Sequence, residues 1–127
     1  MPKTLLPEVE TPETRQALAE ALLALFDEWQ LHEINQATLI EILDVAELRS
    51  GEPLPANKEV LECVGHILAI GRALLKAFPY KTEQRHQWIN NPHPKLDYAT
   101  PLQYMLGGGI DAIREMRELA QHEPHTL

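Results

Sequence analysis

Residues 88–109, WINNPHPKLDYATPLQYMLGGG, decide how the rest of the chain is read. They hold three of the ten prolines, Pro92, Pro94 and Pro101, and end in three of the six glycines, Gly107, Gly108 and Gly109. Pro92 and Pro94 each lack a backbone donor and push the preceding residue out of the helical region, so residues 90–95 are expected to form an extended turn. Helix resumes at Thr100-Pro101, a hydroxyl cap followed by a proline that suits the first helical position. Leu102, Met105 and Leu106 then share one face at i, i+3 and i+4 spacing. The glycines are expected to stop this helix, because glycine enters the left-handed cap conformation without strain. The stretch predicts a rigid corner between helices, anchored by an inward Trp88, that acts as a scaffold or a docking surface.

Working outward, both flanks read as helix. Downstream, a final helix is expected from about Ile110 to Gln121, with Ile110, Ile113, Met116 and Leu119 or Ala120 inward, ended by Glu123-Pro124. Upstream, a short helix over 82–89 is expected to start on Thr82. Before it lies the longest element, capped by Asn57 and stopped by Pro79, about 32 Å at 1.5 Å per residue. Val60, Leu61, Val64, Ile67, Leu68, Leu74, Leu75 and Phe78 make it apolar on more than one face, which suits a helix wrapped by others or shared with a second subunit in a homodimer. Gly65 and Gly71 within it predict close approach of another helix. Nearer the N-terminus, Thr11-Pro12 opens a helix whose Leu18, Leu22, Leu25, Phe26 and Trp29 form a buried stripe. A second helix is expected from His32 or Glu33 to Leu43, with Ile34, Ala37, Leu39 or Ile40, and Leu43 inward. A helical turn over Val45–Arg49 follows, ending at Gly51. Residues 1–10, with Pro2 and Pro7, read as an arm.

The fold expected is therefore all-α and compact, with an arm at 1–10, a helix-turn-helix-like lobe at 11–56, a central helix at 57–80 and a C-terminal helical domain at 81–127. Trp88, Ile89, Pro92, Pro94 and Leu96, then Thr100, Pro101, Leu102, Met105, Leu106, Gly108 and Gly109, then Ile113 and Arg117 on a last helix, form a spaced pattern. This pattern resembles the toxin-binding domain of Xre/MbcA/ParS-type antitoxins. Ala120 stands where that family carries a large apolar residue, a role Leu119 is expected to take. The resemblance extends upstream through Gly65–Pro79 and covers about half the chain. It implies a type II antitoxin without enzymatic activity or cofactor, whose partner is a RES-fold toxin that consumes or transfers from NAD+. The antitoxin would dock over the toxin's cleft. Asn91, Lys95, Tyr98, Tyr104, Arg114 and Arg117, on the corner and last helix, are the residues expected near the toxin. In that family the N-terminal lobe is similar to a Cro-type DNA-binding module, so an autorepressor is the alternative reading.

Charge bears on that alternative. Residues 1–51 carry three bases, Lys3, Arg15 and Arg49, against ten acids, a net charge of −7. Residues 81–127 carry five bases against six acids. The expected reading helix offers only Glu47 and Arg49, whereas phosphates and base edges are bound chiefly by Arg, Lys and amide side chains. The acidic lobe suits solubility or a basic protein partner, and operator DNA is a poor fit. No apolar run nears the ~20 residues of a membrane span, and no signal-peptide core is visible, so the cytoplasm is expected.

Catalytic or metal chemistry has little to build on. Cys63 is the sole cysteine, and with Glu62 and His66 it offers fewer than the four ligands structural zinc takes. Its apolar helix and acidic neighbour disfavour a reactive thiolate. Gly107 to Gly109 follow no strand and precede no Lys-Ser/Thr, so no phosphate loop is expected. His86, His93, His122 and His125 read as surface residues, with His122 and His125 a weak metal pair at most, and Glu115 and Glu118 as a solvated face. A small helical metal protein is the remaining reading.

Overall fold

The structure, a computed structural model, describes residues 11–124. The expected arm at 1–10 and His125 lie outside them. Six α-helices and one 3-10 turn make up the regular structure of the described residues: α1 Pro12–Glu28, α2 Glu33–Leu39, α3 Ala46–Arg49, α4 Lys58–Ala77, α5 Thr82–Asn90, the 3-10 turn Pro94–Leu96, and α6 Pro101–Gln121. The all-helical expectation holds.

Helix starts follow their side-chain caps. Thr11 Oγ1 accepts from the Thr14 amide, Asn57 Oδ1 from Val60 at 3.0 Å, and Thr100 Oγ1 from Gln103 at 3.0 Å. Gln103 returns the bond by accepting from the Thr100 amide, closing a capping box. His32 caps α2, its Nδ1 accepting from the Ile34 amide at 3.2 Å. Thr82 departs from expectation. Lys81 holds the cap position, and the Thr82 hydroxyl accepts from Arg85 instead.

Helix ends are less obvious in the sequence. α1, α2 and α3 all finish with paired bonds from the two residues after the cap back into the last turn. Gln30 N–H donates to Asp27 and Leu31 N–H to Phe26; Glu41 donates to Thr38 and Ile42 to Ala37; Gly51 donates to Leu48 and Glu52 to Glu47. This double bond pattern requires a left-handed residue, usually glycine, at the first position. Here φ is 58° at Gln30, 62° at Glu41 and 105° at Gly51. The cap at Glu41 ends α2 at Leu39, four residues short of the expected Leu43, and turns Leu43 into solvent. Ile34, also expected inward, lies on the outer face of α2 at 69% exposure.

α4 is the spine, packed between α6 and α1, while α2 and α5 also pack on α6. Val60, Val64, Ile67, Ile70 and Leu74 are buried along it. Leu61 and Leu68 are half-buried and Leu75 is exposed, at seven-residue spacing along the same helix. Of the α1 stripe, Leu22, Phe26 and Trp29 are buried, and Leu18 and Leu25 pack at the margin. A Cβ on Gly71 would lie 2.7 Å from a Leu25 methyl, which is the close approach expected there. Gly65 faces open space, so no approach explains it.

The triple glycine does not act as a simple stop. Gly107 and Gly108 continue α6, and the break falls at Gly109 alone, with φ 68° and ψ −152°. Essentially only glycine occupies that region. The helix resumes at once, kinked, and buries Ile113, Met116 and Ala120. Ala120, not Leu119, takes the fully inward position.

Two polar staples cross the fold. Arg85 is buried yet bound on every side: its guanidinium donates to both oxygens of Glu28 at 2.9 and 3.2 Å and to the Phe78 carbonyl at 2.7 Å. Asn90 Nδ2 donates to the Trp29 carbonyl at 3.1 Å. Both tie α5 to the end of α1.

Candidate docking site

The corner begins where α5 runs into Pro92. Asn90 is the last helical residue and Asn91 is extended, as the residue before a proline should be. The expected extended turn is thus shorter than 90–95, since Pro94 opens a 3-10 turn that includes Lys95. Proline is tolerated there because its missing donor falls at a first-turn position. Asp97 and Tyr98 then take φ values of 54° and 65°, two consecutive left-handed residues with side chains. The loop closes on itself to hold them. Tyr98 N–H donates to the His93 carbonyl, His93 N–H to Ala99, and Ala99 N–H to Leu96, each at 3.0 Å.

The corner is anchored to the end of the last helix. Trp88 Nε1 donates to Glu123 at 2.9 Å, and the His93 ring stands edge-on to the Trp88 indole with centroids 6.1 Å apart. His93 Nε2 lies 3.8 Å from the same carboxylate. Trp88 is half-buried, in contrast to the inward position expected of it; the fully buried tryptophan is Trp29. Glu123 was not singled out by the sequence. An acid just past a helix C-terminus opposes the helix dipole, and that placement was the available hint that it serves a partner elsewhere.

The six residues expected near a partner divide into three groups. Asn91, Lys95 and Tyr98 are exposed on the corner, Tyr98 at 69%. Lys95 also lines a shallow cleft of about 310 Å³ with Glu115 and Glu118. Tyr104 and Arg114 stand on α6. The Tyr104 hydroxyl donates to Glu115, which holds the phenol proton and raises its pKa above the usual value. Arg114 bridges Asp111 at 3.1 Å and Glu62 at 3.4 Å. Lys95, Tyr104 and Arg114 thus converge around Glu115. Arg117 is set apart. It is half-buried against α4, with Nη1 3.0 Å from His66 Nδ1. As Arg117 can only donate, His66 accepts and carries its proton on Nε2. Desolvation, then the charges of Arg117 and Arg114, push the His66 pKa below its ordinary value, so the ring is neutral at neutral pH.

Elsewhere the structure disperses the groups that might have done chemistry. Cys63 is buried, and desolvation together with Glu41 and Glu62 pushes its thiol up to about 11. Among the described residues, no three His, Cys, Asp or Glu side chains cluster as a metal site would need. The expected reading helix, α3, is one turn long. Its Arg49 is bidentate on Asp27 at 2.8 and 3.1 Å and also donates to Gln36, so its charge is spent within the lobe. No helix of the described residues is long and apolar enough to cross a membrane.

No protein-family model matches this chain, and comparison with curated proteins finds no match either. The corner exposes polar side chains at Asn91, Lys95 and Tyr98. An amide, an ammonium and a phenol stand on pre-ordered backbone, each a hydrogen-bonding group, and the phenol carries a large contact face.

Proposed function

We propose that this protein is an antitoxin of the Xre/MbcA/ParS type, a binding protein that neutralises a RES-fold toxin by docking over its NAD-binding cleft in the cytoplasm. The single observation that carries the reading, beside the motif resemblance, is the strained corner: two successive left-handed side-chain-bearing residues, Asp97 and Tyr98, at an exposed position. Each such residue costs on the order of 1–2 kcal/mol, and strain of this kind collects at functional sites. The corner is held before any partner arrives, which reduces the ordering cost of binding. Asn91, Lys95 and Tyr98 form the leading edge, with Tyr104 and Arg114 extending it along α6; Arg117 contributes by fixing α6 against α4.

The test is co-expression with a RES-fold toxin encoded by a neighbouring gene, read as growth rescue and copurification. The parent chain is expected to protect and to copurify. Tyr98→Ala, at an exposed position, is expected to keep the fold and weaken the complex by about tenfold or more. Absence of a complex with the parent chain overturns the reading. A complex indifferent to changes at Asn91, Lys95 and Tyr98 removes the corner from it.

A further inference from the structure

The N-terminal lobe carries a groove that the docking reading does not use. Ile42, Leu43, Leu48, Pro53 and Pro55 line a recess of about 610 Å³ between the end of α2 and the segment after α3. Leu43 is at 102% exposure, as open as in an extended chain, although the periodicity of its helix points it inward. The left-handed cap at Glu41 is what turns it out. The recess is apolar at its floor and acidic at its rim. Asp44 and Glu47 line it, and Glu41 and Glu52 flank it in the chain. The base of this segment, Arg49, is held by Asp27 and Gln36 and does not offset the rim.

From this juxtaposition we infer that the groove is a docking site for a basic amphipathic protein segment. Apolar side chains of that segment cover Leu43 and Ile42, and its Lys or Arg groups meet Asp44 and Glu47. Charge selects this occupant over the others. A nucleic acid would bring phosphates against the carboxylates of Asp44 and Glu47. A second copy docking the same lobe would set acid against acid, at a cost that like charges across an interface carry. A helix laying apolar side chains at i, i+3 and i+4 into a groove is a recurrent recognition mode. The inference stands whether or not the corner binds a toxin.

The experiment is a backbone-amide NMR titration of the full chain with three short synthetic peptides: leucines at helical spacing with lysines elsewhere, the same leucines with glutamates, and the lysines with serine replacing leucine. The Leu/Lys peptide is expected to shift the amides of residues 42–48 and to bind more weakly as salt rises. The other two are expected to leave these amides unmoved. Leu43→Ser, at a fully exposed position, is expected to keep the spectrum of a folded chain and weaken binding by roughly tenfold. Asp44→Asn with Glu47→Gln is expected to flatten the salt dependence. Shifts centred elsewhere, or a Leu43→Ser variant that binds as tightly as the parent, overturn the proposal. So does equal binding of the Leu/Glu peptide. Self-association of the parent chain that Leu43→Ser abolishes also overturns it, by giving the groove to a second copy.

Discussion

The N-terminal lobe and the C-terminal corner use the same strained backbone state, one residue at a time in the lobe and two in succession in the corner. In the lobe, Gln30 and Glu41 sit at φ near 60° because each closes a helix, and two cap hydrogen bonds offset the strain. In the corner, Asp97 closes a single 3-10 turn with the same kind of pair, its own N–H to Pro94 and that of Tyr98 to His93, and Tyr98 then takes the left-handed state as well. The lobe's strained residues are therefore replaceable by glycine, whose cap does the same work. The same holds for Asp97, whereas glycine at Tyr98 would remove the exposed phenol. Cap hydrogen bonds account for positive φ at Gln30, Glu41 and Asp97 alike; what sets the corner apart is a second left-handed residue, the exposed Tyr98, directly after the cap.

The two regions are joined by Arg85, and cutting that tie is the hardest way to test whether they form one unit. Arg85→Ala removes the charge-assisted bonds to a partly exposed Glu28 and frees the Phe78 carbonyl, at a cost of about 2–3 kcal/mol. A single urea transition shifted to lower denaturant is expected. Two separated transitions would show that lobe and corner fold apart. Next in size is the corner's anchor. Trp88→Ala removes a half-buried indole and its bond to Glu123, and a loss of about 2 kcal/mol is expected, below the 3–5 of a fully buried tryptophan. The amide shifts of residues 91–99 should move with it.

Smaller and opposite in sign, Gln30→Gly and Glu41→Gly are each expected to stabilise by roughly 0.5–1 kcal/mol, as relief of left-handed strain outweighs the added freedom of the unfolded chain. Tyr98→Gly should stabilise similarly yet bind its partner worse, and a glycine there that binds normally would erase the distinction between the regions. The mildest effect is expected from pH. The folded state holds His66 with a lowered pKa, so the unfolded chain takes up that proton first. The contribution is complete above the ordinary histidine value of 6.5 and is lost as pH falls through the folded value. His66→Gln should flatten the denaturation midpoint between about pH 7 and pH 5.

What the sequence disclosed, and what it hid, follow from how local each signal is. Thr11-Pro12, Asn57 and Thr100-Pro101 declare helix starts because the cap is a side chain one to three residues from its donor. The ends after Trp29 and Ile40 were hidden because Gln30 and Glu41 occupy a position that normally advertises itself as glycine. This is why α2 read four residues too long and Leu43 read as core. The corner itself was legible from Pro92 and Pro94. Its anchor was not, since Glu123 lies 35 residues from Trp88, and Glu28 lies 57 from Arg85. That Arg117 is half-buried against His66 was hidden for a related reason. Its place beside the buried Ile113 and Met116 was visible on α6, but the facing His66 belongs to another helix.

Cys63 gives the molecule an internal clock. It is the sole cysteine, it sits on α4 at the centre of the packing, and its proton is held until about pH 11. A thiol reagent reaches it only when α4 separates from its neighbours, so the labelling rate at neutral pH counts openings of the spine. Because both the lobe and α6 pack on that helix, a partner that clamps either one should slow the count, and the slowing would report binding without any added dye or tag.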